Sequence, residues 1–80
     1  MKLTPGEQGT KMQIIGEHIK LDSFLKLVNE AGSGGEAKIL IAEGLVSVNG
    51  EPESRRGRKL RPGDNVGIRG RSYHIEAEDS

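Results

Sequence analysis

Apolar residues recur at helical spacing in two neighbouring parts of the chain, which indicates two helices. The first set follows the spacing i, i+3, i+4 and i+7 of one helix face and consists of Leu21, Phe24, Leu25 and Val28. This set predicts a first helix over residues 21–30. The second set, Ala37, Leu40 and Ile41, predicts another helix over residues 34–43.

The ends of these helices carry recognisable signals. Gly32 is expected to end the first helix, and Gly44 the second, because glycine readily adopts the positive φ found at helix C-termini. Ser33 and Glu36 have the spacing of a capping box, in which each side chain accepts a hydrogen bond from the other residue's backbone N–H. Since the link between the helices is short, we expect the two helices to pack together.

Short apolar stretches separated by turn residues follow the helices and predict a sheet. The predicted strands are residues 45–48, a partner over 51–53 that Pro52 weakens, 66–68 and 73–75. Asn49-Gly50 is typical of a tight hairpin turn, and Pro62-Gly63 stands where a type II turn needs these residues. The expected fold class is therefore α+β, with two packed helices followed by a small antiparallel sheet.

The two ends of the chain lack this periodicity. Residues 1–11 are predicted to be a disordered leader and residues 78–80 an acidic tail. Residues 12–77 are predicted to form a single domain, with a short strand over 12–15 at its start. A chain of 80 residues buries too little surface to favour a deep catalytic cleft, so we expect no enzymatic activity.

Composition argues against several other classes. The chain has no cysteine, which excludes disulfides and thiolate metal sites. His18 and His74 are isolated from acids at metal-ligand spacing, so we expect no metal, cofactor or small-molecule substrate. The longest apolar run of the central helix, residues 39–42, is too short to cross a membrane, and no apolar signal region follows Lys2. These features predict a cytoplasmic protein.

The charges are strongly segregated although the formal net charge is zero. Residues 1–53 carry a net charge of −3, residues 54–71 carry +6, and residues 72–80 carry −3. All six arginines lie between Arg55 and Arg71. Because arginine suits bidentate phosphate contacts, this distribution indicates an anionic partner.

A run of basic residues after the predicted hairpin is the best candidate for contact with that partner. Its members are Arg55, Arg56, Arg58, Lys59 and Arg61. Folded RNA and an acidic protein are the two candidate partners. A DNA-reading helix is disfavoured, because the second helix offers only Lys38 and acids at exposed positions. With only two aromatic residues, Phe24 and Tyr73, the chain lacks a base-stacking platform, which favours recognition of RNA by its shape and backbone.

The glycine-rich stretch over residues 32–38 superficially suggests a nucleotide-binding loop. A loop of that class follows a strand and ends in Gly-Lys-Ser/Thr, whereas this stretch follows a helix and Lys38 lies inside the next one. We therefore interpret it as a turn between helices. The backbone N–H groups of Gly34 and Gly35, at a helix start, are candidates for contact with one RNA phosphate.

Five separated blocks of sequence resemble the S-four RNA-binding domain, also called the alpha-L RNA-binding motif. The blocks are Lys20-Leu21-Asp22, Phe24-Leu25, Ala37-Lys38-x-Leu40-Ile41, Glu43-Gly44-x-Val46-x-Val48-Asn49-Gly50 and Leu60-x-Pro62-Gly63-Asp64. The resemblance covers roughly residues 18–69 and is greatest to small stand-alone bacterial members. It implies two helices and a sheet that bind structured RNA without catalysis, with ribosomal RNA or an assembling ribosomal particle as the expected partner.

The resemblance also implies where RNA binds: the starts of both helices and the nearby basic run. The predicted RNA-binding residues are Lys20, Ser33, Gly34, Gly35, Lys38, Asn49, Arg55, Arg56, Arg58, Lys59 and Arg61. The chain departs from the family at Gly34, where many members have an arginine. A close approach of the backbone to phosphate is expected to replace the guanidinium contact there.

Overall fold

A computed structural model describes residues 9–78 and contains two helices and two sheets. The elements are β1 (Gly9–Ile14), β2 (Ile19–Lys20), α1 (Leu21–Leu27), α2 (Gly34–Ala42), β3 (Val46–Val48), β4 (Glu51–Pro52), β5 (Lys59–Leu60), β6 (Asn65–Ile68) and β7 (Arg71–Ala77). A five-stranded sheet has the order β1-β7-β6-β3-β4, and β2 pairs with β5 in a separate two-stranded sheet. The predicted α+β class is confirmed.

The core joins both helices to the large sheet. The buried residues of the helices are those of the two predicted apolar stripes, except Val28, which is half-buried. Alternate residues of β3, β6 and β7, together with Ile14, Ala31 and Leu60, complete the core. Phe24 meets Tyr73 edge-on with ring centroids 5.8 Å apart. The packing of α1 against β7 therefore rests partly on an aromatic pair.

Helix α1 ends earlier than the sequence predicted, at Leu27 rather than residue 30. Asn29 adopts a left-handed conformation with φ of 63°, and its N–H donates to Lys26 O at 3.1 Å. The N–H of Glu30 donates to Leu25 O at 2.9 Å. These two bonds form a Schellman arrangement with asparagine in place of glycine, so the predicted stop at Gly32 is wrong.

Helix α2 has the predicted end signals, with one difference at its start. Gly44 has φ of 77°, and its N–H donates to Ile41 O at 3.1 Å, as expected for a glycine-terminated helix. Ser33 Oγ accepts from the N–H of Glu36 at 3.1 Å. The carboxylate of Glu36, however, accepts from Gly32 and not from Ser33. A Cβ at Gly32 would lie 3.3 Å from Glu36 Oε1, a tight contact that glycine avoids.

The sheet is antiparallel except at β1, for which the sequence predicted a short strand over residues 12–15 but neither its start at Gly9 nor its parallel pairing. Strand β1 runs parallel to β7, with Gly9 opposite Ser72 and Ile14 opposite Ala77. The prediction of disorder is therefore wrong for residues 9–11, and its remainder lies outside the described residues. Met12 and Ile14 face the core, whereas residues 9–11 are exposed, so the pairing of these three residues depends on backbone bonds that leave no hydrophobic pattern. Of the predicted tail, residues 79–80 also lie outside the described part.

The predicted turns are confirmed. Asn49 and Gly50 have φ of 54° and 87°, as a two-residue primed hairpin requires. Gly63 has φ of 102°, and the N–H of Asp64 donates to Arg61 O at 3.0 Å, which closes the type II turn.

Candidate nucleic-acid interface

Residues 55–61, called here the basic segment, follow β4 and include β5. The end of the basic run is not a loop, because Lys59 belongs to β5. A shallow surface groove of about 520 Å³ is lined by Arg55, Gly57, Arg58, Lys59 and Arg61. The fold thus places four of the five predicted cations around one depression.

Backbone hydrogen bonds attach the basic segment to the start of α1. The carbonyl of Arg58 accepts from the N–H of Leu21 at 2.8 Å, and that of Arg56 accepts from Asp22 at 3.1 Å. The first N–H groups of a helix have no acceptor inside the helix, and these two carbonyls act as their hydrogen-bond acceptors. The N-cap residue, Lys20, makes no side-chain capping bond.

The small sheet brings Lys20 beside the basic segment. Lys20 pairs with Lys59 in the antiparallel β2–β5 ladder, and Ile19 pairs with Leu60. Side chains directly opposite each other in such a ladder are about 5 Å apart at Cβ, where two like charges repel. An anion bound between the two lysines would relieve that repulsion.

Glu53 lies at the base of the basic segment and is a functional candidate that the sequence analysis missed. The residue is buried, with 7% of its surface exposed. Its carboxylate accepts from Arg55 three times, at 3.0 Å from the backbone N, 3.0 Å from Nε and 3.1 Å from Nη2. It also accepts from Arg58 Nη1 at 2.7 Å. These hydrogen bonds, from Arg55 first and then Arg58, lower the pKa of Glu53 to about 2.

The two arginines held by Glu53 keep donors for another ligand. A guanidinium has five N–H donors, and the contacts with Glu53 use two on Arg55 and one on Arg58. The side chain of Arg55 is 71% exposed and that of Arg58 is 31% exposed. Within residues 9–78, Arg56, Lys59 and Arg61 form no ion pair with an acid.

The start of α2 forms a second part of the predicted site. Nothing lies within 4 Å of a Cβ built on Gly34, and only Ser33 Oγ, at 3.9 Å, lies near one built on Gly35. Neither glycine has positive φ, so the fold itself does not demand glycine at either position. Their N–H groups have no acceptor in the described part of the chain, whereas the Ser33 hydroxyl caps the helix.

The structure does not join this second part to the first by direct bonds. Lys38 is exposed on α2, and no hydrogen bond or ion pair between described residues links residues 33–38 to the basic segment. Asn49 lies in its predicted turn, where its side chain donates to Asp64 Oδ1 at 3.1 Å and accepts from Asn65 N at 2.9 Å. These bonds give Asn49 a structural role, and its contact with RNA stays a prediction.

A second buried acid, Glu30, connects the segment that follows α1 to strand β7. Its carboxylate accepts from Arg71 Nε at 2.7 Å and from the hydroxyl of Tyr73, and Arg69 Nη1 lies 3.7 Å away. These partners, the Arg71 hydrogen bond above all, lower the pKa of Glu30 despite its burial. We interpret this cluster as a structural anchor.

Between residues 9 and 78, no group of three or more His, Asp or Glu side chains is placed to hold a metal ion. Neither helix of the described region is long and apolar enough to span a membrane.

Comparison with known proteins gives concordant matches. A model of the S4 domain matches residues 12–76. The probable ribosome maturation protein RlbA of Bacillus subtilis (strain 168) is 54% identical over 54 residues, which are 68% of this chain and 76% of RlbA. The putative RNA-binding protein YbcJ of Escherichia coli (strain K12) is 42% identical over 60 residues, which are 75% of this chain and 86% of YbcJ.

The fold comparison agrees with the sequence comparison. The solution structure of YbcJ, described as revealing an alfaL motif involved in RNA-binding, is similar with a TM-score of 0.62 and 36% identity. That similarity covers 88% of this chain and 87% of YbcJ. An uncharacterized RNA pseudouridine synthase of Aquifex aeolicus (strain VF5) is 41% identical over 70% of this chain but only 18% of the synthase. Most of that enzyme therefore lies outside the similarity.

Proposed function

The chain belongs to the S4 domain family, and on that premise we propose that it binds structured RNA, without catalysis, through the basic segment and Lys20. The observation that carries the proposal is the groove lined by Arg55, Arg58, Lys59 and Arg61 at the start of α1. Two hydrogen bonds attach the backbone of the basic segment to the start of α1, so the backbone positions of these cations are defined. The names of YbcJ and RlbA, and the alfaL motif described for YbcJ, support this proposal.

Folded RNA is a better partner for this surface than single-stranded RNA. Single-strand binders stack bases on exposed aromatic side chains. The chain has one Phe and one Tyr, and both are buried in the core. Phosphate contacts therefore dominate, and these position a protein without reading sequence directly.

The finer proposal is that the RNA is ribosomal, free or in an assembling particle, which would place the protein in the cytoplasm. The name of RlbA, a probable ribosome maturation protein, supports this choice of partner. Ribosomal RNA also offers the folded helices and junctions that a phosphate-contacting groove requires. Gly34, Gly35 and Lys38 are proposed as a second, smaller contact at the start of α2.

The test removes two cations that no acid of the described chain holds. The double variant Arg56→Gln/Arg61→Gln should lose co-sedimentation with ribosomal particles in low-salt sucrose gradients, while its circular dichroism stays unchanged. Arg55 and Arg58 are left intact, because their loss would leave Glu53 as an unpaired buried carboxylate.

The matched control removes two exposed cations elsewhere. Lys11→Gln/Lys26→Gln changes the net charge equally, in β1 and α1, and should sediment with the particles like the wild type. If both double variants behave alike, the basic segment is not the binding site. If the wild-type protein stays at the top of the gradient, or a polyglutamate peptide releases it as readily as ribosomal RNA does, the ribosomal partner is wrong.

A further inference from the structure

Glu53 is held in the large sheet rather than in the basic segment that it contacts. Its backbone N–H donates to Val46 O at 3.0 Å, which continues the β3–β4 pairing beyond Pro52. The backbone of this buried residue is therefore anchored in the sheet. It is the last residue with a fixed place in the sheet before the basic segment begins.

The carboxylate orders the segment at two points. It bonds both the backbone and the guanidinium of Arg55, and it bonds the guanidinium of Arg58. The carbonyl of Arg58 bonds in turn to the N–H of Leu21 at the start of α1. A continuous set of hydrogen bonds therefore runs from β4, through Glu53 and the basic segment, to α1.

We propose that Glu53 is a positioning residue for RNA binding, which holds Arg55 and Arg58 over the groove before RNA arrives. The inference rests on the proposed function of the basic segment. Long side chains lose conformational freedom when a ligand immobilises them, and ordering them in advance lowers that cost. Both guanidinium groups keep N–H donors, so a phosphate can bind without displacing Glu53.

If Glu53 instead competes with phosphate, replacing it should change the affinity for RNA in the opposite direction. If the carboxylate merely competes with phosphate for Arg55 and Arg58, its neutralisation raises the net positive charge of the surface and tightens binding. If it positions the arginines, the same substitution weakens binding despite the added positive charge. The sign of the change in affinity therefore separates the two roles.

Glu53→Gln tests this sign, and Glu51→Gln is its matched control. Glu51 is exposed on β4, forms no side-chain hydrogen bond or ion pair within residues 9–78, and its substitution changes the charge equally. Affinity for a folded ribosomal RNA fragment is measured by fluorescence anisotropy over a range of salt. Glu51→Gln should bind as tightly as the wild type or up to about threefold tighter. Glu53→Gln should bind about tenfold more weakly.

The salt dependence distinguishes positioning from a general loss of structure. If Arg55 and Arg58 cease to engage phosphates, the slope of log affinity against log salt should become shallower by about 1 to 2 in Glu53→Gln. A smaller folded fraction alone would reduce the affinity and leave that slope unchanged. Equal or tighter binding by Glu53→Gln, relative to Glu51→Gln, would overturn the inference, as would weaker binding with an unchanged slope.

If Glu53→Gln fails to fold, NMR relaxation measurements on the wild-type protein test the positioning role of Glu53 instead. The Nε–Hε groups of Arg55 and Arg58 should be ordered in the free protein, with order parameters near those of the rigid backbone, about 0.85. Values below about 0.6 would overturn the inference. If the wild type and Glu51→Gln both fail to bind folded RNA, the proposed function fails, which is a different outcome from unweakened binding by Glu53→Gln.

Discussion

At the scale of single residues, two buried carboxylates each form ion pairs with arginine. Glu53 pairs with Arg55 and Arg58, and Glu30 pairs with Arg71. Both pKa values are lowered from 4.5, that of Glu53 to about 2. A carboxylate with a lowered pKa stabilises the fold only while it is ionised.

Stability should therefore fall as the pH falls from about 4.5 toward 2. Above pH 4.5 the carboxylates are ionised in both the folded and unfolded states, and the stabilisation from the lowered pKa values is fully present. Thermal unfolding of the wild type and Glu53→Gln at pH 6, 4 and 2.5 checks this. The loss in melting temperature on acidification should be smaller for Glu53→Gln, and equal losses would contradict the assignment to Glu53.

The sequence revealed the cations of the site but not the acid that holds them. The five basic residues lie close together, within residues 55–61, so they can be recognised from the sequence alone. The pairing of Glu53 with the arginines depends on its burial beside β3, and no local sequence pattern indicates that burial. An acid immediately before a basic run is the one signal that could have suggested it.

At the scale of elements, both helices end in the same hydrogen-bonding arrangement with different residues. Gly44 was predictable because glycine is the usual left-handed residue at a helix end. Asn29 was not, because asparagine takes this role less often and the apolar periodicity continues through Val28. The sequence predicted the second half of β1, at residues 12–15, but missed residues 9–11 and the parallel pairing with β7, because those three residues are exposed and leave no apolar pattern.

The two helix glycines should respond differently to alanine. Gly44→Ala places a Cβ in a left-handed conformation with φ of 77° and should cost about 1–2 kcal/mol of folding free energy. Gly34→Ala meets no atom within 4 Å and should leave the stability unchanged or slightly raised. Urea unfolding of the two variants measures the difference. Equal effects would contradict the conformation assigned to Gly44.

At the scale of the whole molecule, the fold brings cations that are distant in the sequence next to one another. Lys20 comes from before the helices and Lys59 from after the hairpin, yet they are partners in one ladder. The sequence indicated both as RNA contacts through the family resemblance, whereas their pairing follows from the β2–β5 ladder, which is too short to leave a sequence pattern. Because the chain has only two aromatic residues, we propose that phosphate contacts are the main source of its affinity for RNA.

The most direct test of the account is the affinity of the wild-type protein for a folded ribosomal RNA fragment and for an unstructured strand of equal length, measured across salt concentrations. The folded RNA should bind more tightly, with a slope of log affinity against log salt of roughly −3 to −5 if about five phosphates are neutralised. Equal affinity for the two RNAs, or a slope near zero, would contradict the proposal that the basic segment binds folded RNA through its phosphates.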